Sequence, residues 1–249
     1  MITTKAKILL NINVTASNIY KIVLFIEGMP KIKAGQFAMV DCGKTDGVLL
    51  KRPLSIHSFD NDTITILYKA LGKGTKALSR MQKGSIIDII LPLGNGFEAR
   101  NYSNIALVGG GLGIFPLYSV INEYPQKNYY AYLGCKDKHD FVCNDIFNEK
   151  CRKTLIATDD GSLGQKGLVT DFLASDLKRF NAIFACGPKP MLKALKNLVV
   201  GTQIPTFVSL EERMGCGFGA CLTCACKTIR GKERVCMEGP VFDIKEVIL

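Results

Sequence analysis

Apolar positions in the first 97 residues fall in short, β-branched runs. AKILLNINV, IYKIVLFIE, GQFAMVDC, LLKRPLSIHSF, TITILYKAL and SIIDIILPLG are each bounded by glycine, proline, asparagine or aspartate. Six short strands at this spacing predict an antiparallel six-stranded β-barrel. A short helix is expected to start at Thr75, whose hydroxyl can cap the amides of KALSRM.

After LPLGNGF the period changes. NIALVGGG, NYYAYLGC, KTLIATDD and NAIFACGP are strand-like, and each is followed by a helical pattern: FPLYSVINEY, HDFVCNDIFNEK, GLVTDFLASDL and KPMLKALKNLVV. This alternation predicts an α/β unit built on a parallel sheet with helices on both faces. From about Thr206 the chain becomes rich in cysteine and glycine. The expected division is a barrel over 1–98, an α/β domain over 99–205 and a small module over 206–249.

Composition narrows the class. About half of the 249 residues are apolar and 22% are charged, as in a globular protein. The uncharged stretch IALVGGGLGIFPLYSVI is interrupted by glycines and a proline and is too short for a membrane span. The opening MITTKAKILLNINV lacks the apolar run of a secretory signal, so a cytoplasmic, reducing location is expected. There the ten cysteines argue for metal rather than a disulfide framework. Cys42, Cys135, Cys143 and Cys151 are scattered and read as small buried hydrophobes. The net charge is +10, but from Thr206 onward six basic residues meet six acidic ones, so the surplus lies earlier, mostly as single lysines. With no basic run and no interleaved aromatic motif, nucleic-acid binding is not expected.

The strongest chemical signal is in GCGFGACLTCACKT. Cys216, Cys221 and Cys224, followed by Cys236, give C-x4-C-x2-C and a distant fourth thiol, the plant-type [2Fe–2S] spacing. Gly215, Gly217 and Gly219 would let the backbone wrap closely and point amides at sulfur. A zinc site with four thiolates is the alternative, although it usually shows two close pairs. Cys226, two residues past Cys224, is a surplus thiol that could rival it.

Three further motifs suit nucleotides. In Arg52-Pro53-Leu54-Ser55 an arginine can fork onto a phosphate and a serine can bond a ring edge. An ordinary barrel strand is the plainer reading until Leu67, Tyr68, Lys69, Gly74 and Thr75 are added: the tyrosine can lie against an aromatic cofactor, and the last two open a helix. Gly109-Gly110-Gly111-Leu112-Gly113-Ile114-Phe115-Pro116 joins a strand to a helix, as a phosphate loop does, or forms a tight turn without ligand. Cys186-Gly187-Pro188 ends the last strand of the α/β unit, where ligands of open sheets bind, and Asp159-Asp160-Gly161-Ser162 ends its predecessor at the same edge. His57 reads as either a structural histidine or one approaching a cofactor. Lys136 and Lys138 would attract a 2′-phosphate that Asp137 would disfavour.

A barrel carrying R-P-x-S, then GGG-x-G-x-x-P, then CGP resembles the ferredoxin–NADP reductase superfamily. GCGFGACLTCACK with RVCMEGPVF narrows the resemblance, essentially end to end, to the electron-transfer subunits of class 1B dihydroorotate dehydrogenases. That resemblance implies FAD on the barrel, held by Arg52, Pro53, Leu54, Ser55, Leu67, Tyr68, Lys69, Gly74 and Thr75. It implies NAD(H) as substrate on the α/β domain, at Gly110, Gly111, Gly113, Cys186, Gly187 and Pro188. It implies a [2Fe–2S] cluster on Cys216, Cys221, Cys224 and Cys236. The implied partner is an FMN-containing catalytic subunit that oxidises dihydroorotate, in a heterotetramer with two subunits of each kind. No acid–base catalyst is expected in this chain; Cys186 is the nearest candidate for positioning the nicotinamide. The competing functions are a stand-alone NAD(P)H–ferredoxin or acceptor reductase and, from another class, a zinc-stabilised nucleotide-binding module.

Overall fold

In the computed structural model, which describes residues 1–43, 47–142 and 144–249, the N-terminal apolar runs become antiparallel strands. They are β1 (Ile2–Asn13), β2 (Ile19–Phe25), β3 (Phe37–Val40), β4 (Arg52–Ser55), β5 (Ser58–Phe59), β6 (Thr63–Lys69) and, after helix α1 (Lys73–Leu78), β7 (Ile86–Leu93). Their bonded order is β4-β3-β7-β1-β2-β6-β5. The barrel thus has seven strands where six were expected, because LLKRPLSIHSF bends at Ile56 and His57. The Ile56 amide donates to the Gln36 carbonyl at 3.1 Å, and the His57 amide to the Thr65 carbonyl at 2.9 Å. Consecutive amides therefore bond opposite edges of the curled sheet and leave little open edge. Alternate residues, such as Ile22, Leu24, Ile64, Ile66, Ile87 and Ile89, fill the interior. Helix α1 begins two residues before Thr75: the Thr75 hydroxyl accepts from the amides of Leu71 and Gly72, at 3.0 and 3.2 Å, from the third helical position.

The α/β unit runs β8 (Asn104–Gly110), α2 (Ile114–Glu123), β9 (Asn128–Cys135), α3 (Asn144–Lys150), β10 (Lys153–Thr158), β11 (Gln165–Lys166), α4 (Val169–Ala174), β12 (Ala182–Cys186) and α5 (Lys189–Val199). Its sheet has the order β11-β10-β9-β8-β12-β13-β16, where β13 is Thr206–Ser209 and β16 is Val241–Asp243. All pairs are parallel except β13 with β16. The direction of winding reverses between β8 and β12, which opens a crevice beyond their carboxyl ends. Thr206–Ser209, at the head of the cysteine-rich segment, is thus a strand of the α/β sheet. Helix α3 is shorter than the pattern in HDFVCNDIFNEK because Asp137 caps a separate 3-10 turn over Lys138–Asp140. Cys42 and Cys135 are buried and Cys151 is half-buried; Cys143 lies outside the described residues. Beyond Ser209 a loop with Cys216, Cys221 and Cys224 leads into a short hairpin of β14 (Ala225–Thr228) and β15 (Gly231–Arg234), which holds Cys226 and is followed by Cys236.

Residues of β8 alternate between two cores. Ala106 and Val108 meet Leu173, Leu192 and Leu195 on one face. Ile105 and Leu107 meet Leu117, Val120 and Ile121 of α2 on the other, and that core continues into Ile19, Ala34, Leu67 and Phe97 of the barrel unit. Helix α2 is therefore packed on both sides. Four polar contacts fix it to the barrel. The amides of Ala34, Gly35 and Phe59 donate to Glu123, Ser119 and Asn122 at 2.6, 2.9 and 2.7 Å, and His57 Nδ1 lies 2.9 Å from the Phe115 carbonyl. The anchor positions 115, 119, 122 and 123 share one helical face.

His57 resolves to the structural reading. It is buried, its ring stacks on Tyr118 at 4.8 Å, and it lines no cofactor cleft. Burial pushes its pKa down to about 4, so the neutral ring donates its Nδ1 proton to Phe115. The unfolded chain, with an ordinary histidine near 6.5, takes up a proton across a pH range in which the native state does not. Stability should therefore fall as pH drops from about 6.5 towards 4. Urea denaturation at pH 7 and pH 5 should show wild type losing about 2 kcal/mol more than His57→Leu over that interval; parallel losses in the two proteins would contradict the assignment.

Candidate functional site

Two clefts flank the seam between the sheets. The first, about 400 Å³, has Arg52–Ser55 of β4 and Leu67–Lys69 of β6 along one wall, with Thr75 nearby. Gly74 lies beneath Arg52, where a Cβ would come within 2.7 Å of the guanidinium Nε. Tyr68 is buried, stacks on Tyr20 at 5.7 Å and donates its hydroxyl to Asn11 at 3.0 Å, so it is at once a cleft wall and a barrel tyrosine. The opposite wall was not anticipated from sequence: it is built by Ser209–Glu212, Met214 and Pro240, from either side of the cysteine loop. Much of Glu211 faces solvent, yet its carboxyl is crowded enough for desolvation to raise its pKa above the usual value.

The second cleft, about 410 Å³, opens at the carboxyl ends of β8, β9 and β10. Gly110, Gly111 and Pro188 line it together with Lys136, Asp140 and Asp159. Gly113, Cys186 and Gly187 do not line it. Gly113 serves close packing instead, since a Cβ there would collide with the Cys186 carbonyl. Cys186 is fully buried, with its thiol bonded to Ser209 and its pKa raised by burial. Asp137 spends its carboxylate on the amides of His139 and Asp140.

The cysteine loop brings four thiols together as two pairs. The Cys216 amide donates to Cys221 Sγ at 3.4 Å, and the Cys236 amide to Cys224 Sγ at 3.5 Å. Cys224 and Cys236 are buried, Cys216 is half-buried and Cys221 is exposed. Hydrogen bonds from Thr223, and then from Cys216, hold the Cys221 thiol down to about 6. Gly217 and Gly219 adopt the positive φ that the wrapping loop was expected to need; Gly215 packs against Cys221 Sγ. Among the described residues no three His, Cys, Asp or Glu side chains close around a point that would hold one metal ion. Two pairs of thiols on one loop suit a two-centre cluster better than a single zinc. Cys226 joins the apolar cluster of Val235 and Val247.

Comparison with known proteins accords with this layout. Residues 211–248 match the iron-sulfur cluster binding domain of dihydroorotate dehydrogenase B, and residues 107–197 match the oxidoreductase NAD-binding domain. The electron transfer subunit of dihydroorotate dehydrogenase B (NAD(+)) from Caldanaerobacter subterraneus subsp. tengcongensis is 41% identical over 249 residues, covering 98% of each chain. The chain belongs to this family. The subunit of the same name from Clostridium acetobutylicum is 38% identical, covering 99% of this chain and 97% of that one. The structure of NADH-dependent reduced ferredoxin–NADP oxidoreductase superposes with a TM-score of 0.85 at 29% identity, covering 98% and 89% of the two chains. A ferredoxin NADP+ reductase from Neisseria gonorrhoeae, solved with FAD and NADP, shares the fold at 17% identity and a TM-score of 0.69, covering 85% of this chain and 94% of that one. As a member of the dihydroorotate dehydrogenase B electron transfer subunits, the chain is an NAD-linked oxidoreductase component. No helix among its described residues is long and apolar enough to cross a membrane.

In this family member the two clefts are tied by one ion pair. Lys69, from the first cleft, meets Asp140, from the second, at 2.7 Å, with both side chains largely shielded. The pair holds the Asp140 carboxyl below its ordinary pKa. A double-mutant cycle with Lys69→Met and Asp140→Asn should give a coupling of about 0.5–1 kcal/mol in urea melts. Strict additivity would show that the pair does not join the domains.

Proposed function

We propose that this chain moves electrons between a dihydroorotate-oxidising partner subunit and NAD(H), with FAD in the first cleft, NAD(H) in the second and a [2Fe–2S] cluster on the four thiols. The observation that carries this reading is the shared wall. Met214 and Pro240 line the first cleft and flank Cys216 and Cys236 in sequence, so a flavin there adjoins the cluster loop. A flavin held in this cleft would supply two-electron chemistry towards NAD(H) and one-electron chemistry towards the thiol-bound irons.

The chain's own residues bind and orient. Arg52 and Lys69 supply positive charge for a pyrophosphate, and Ser55 and Tyr68 bound the ring space, with Pro53, Leu54, Leu67, Gly74 and Thr75 shaping the wall. Gly110, Gly111 and Pro188 leave room for the dinucleotide, while Gly113 and Gly187 let the two strand ends approach. Cys186 acts from behind, through Ser209 on the first cleft's wall. Asp140 and Asp159 would repel a 2′-phosphate, which supports NAD over NADP despite Lys136. Each thiol pair, 216 with 221 and 224 with 236, can serve one iron.

The functional units follow the division 1–98, 99–205 and 206–249, with β13 and β16 stitching the last onto the α/β sheet. The partner is an FMN-containing catalytic subunit, in a cytoplasmic heterotetramer. Its docking face is the cluster module, where Phe218, Leu222 and Met237 are 44%, 64% and 49% exposed. Leu222 projects from a left-handed backbone at φ 57°, a strain that an apolar partner pocket would repay. The likeness to the reduced ferredoxin–NADP oxidoreductase favours a second reading, a stand-alone reductase for ferredoxin or a small acceptor.

The purified protein should be yellow-brown, with about one FAD, two irons and two sulfides per chain. Reconstituted with its partner, Cys221→Ser should lose dihydroorotate–NAD turnover and keep NADH–dye reduction. Loss of both activities would make the module a structural prop. Rapid ferredoxin turnover without a partner would favour the second reading, and a colourless zinc protein would overturn both.

A further inference from the structure

The segment LPLGNGF closes the barrel but contributes no polar group to either cleft. Within it Asn95 makes four hydrogen bonds to a segment more than 140 residues away. Its amide donates to the Gly239 carbonyl at 2.6 Å. Its Nδ2 donates to the carbonyls of Glu238 and Val241 at 2.9 and 2.8 Å, and its Oδ1 accepts from the Val241 amide at 2.9 Å. Every polar atom of the side chain is engaged in gripping residues 238–241.

What that segment touches gives the grip its meaning. Pro240 lines the first cleft, and its carbonyl accepts from the Leu210 amide at 2.8 Å. Two residues before Glu238 stands Cys236. The Glu238 carboxylate accepts from the Arg234 amide at 2.7 Å and pairs with its guanidinium, and Arg234 Nη1 reaches the Gly219 carbonyl at 3.2 Å, between Cys216 and Cys221. A continuous chain of bonds thus runs from the barrel's exit through Asn95, Glu238 and Arg234 to Gly219, inside the cysteine loop. Gly217 completes the contact from the barrel side by packing on Met39.

We propose that Asn95 is a positioning residue that holds the cysteine loop at a fixed distance from the first cleft, and so governs electron passage between flavin and cluster without affecting exchange with NAD(H). The proposal rests on the reading of the cleft and loop as FAD and [2Fe–2S] sites. Asn95 is itself exposed and belongs to none of the three apolar cores.

The test compares Asn95→Ala and Asn95→Ser with wild type in the full chain. After mixing with NADH, absorbance should show flavin reduction within twofold of wild type in both variants. Cluster reduction should be at least tenfold slower in N95A, and intermediate in N95S, whose hydroxyl can keep one of the bonds. Hydrogen exchange in peptides spanning 236–242 should be at least tenfold faster in N95A, a readout independent of cofactors. Unchanged exchange overturns the proposal, as does faster exchange with an unaltered cluster phase. Equal slowing of both phases with a lower melting temperature also overturns it, in favour of a general stabilising role. If wild type carries no flavin or iron, the proposed function fails on its own account, and the exchange data alone decide whether Asn95 holds the segment.

Discussion

Helix α2 is gripped from both sides, and the relation between the two sheets depends on that grip. On one side its apolar face completes the α/β core; on the other, four polar contacts from Ala34, Gly35, His57 and Phe59 fix it to the barrel. Hydrogen bonds of this kind contribute roughly 1 kcal/mol each, and leaving a partner unpaired costs more at the two that are fully buried, Gly35 with Ser119 and His57 with Phe115. The interface is therefore resistant to sliding. The Gly109–Gly113 loop enters α2, and β4 leads into His57, so the walls of both clefts inherit their spacing from this one helix.

The cysteine-rich tail joins the same seam by a different route. It leaves the α/β sheet at β13, wraps the thiols and returns as β16 beside the strand it left. Between departure and return it builds the far wall of the first cleft. Charge follows function along the chain. The basic surplus lies in the two units with nucleotide-sized clefts, where anionic ligands are drawn in, and the tail is balanced. A balanced tail with exposed apolar residues suits a protein partner rather than a free anion.

Much of this was legible from the residues. Short β-branched runs bounded by turn residues marked the barrel strands, and their replacement by strand–helix alternation marked the second sheet. The C-x4-C-x2-C spacing with a distant fourth thiol picked out the four sulfurs that pair in space. What stayed hidden depends on contacts between distant segments. The bend at Ile56 and His57 exists because two edges of one sheet compete for the same strand, which no local pattern records. Cys186 sits at the expected strand end, but which way its thiol turns is set by Ser209, 23 residues on. Ser209–Glu212 and Pro240 read as flanks of a metal motif, and only the fold makes them a cleft wall. Asn95 in a glycine turn reads as a loop residue, because its partners lie near the other end of the chain.

On the proposed reading, Cys216, Cys221, Cys224 and Cys236 hold a two-iron centre beside a flavin. Anomalous scattering at the iron edge, from crystals of anaerobically prepared protein, addresses it directly. Two resolved iron positions are expected between the thiol pairs, one near Cys216 and Cys221 and the other near Cys224 and Cys236. A single peak at the zinc edge, or no anomalous signal among these sulfurs, would contradict it.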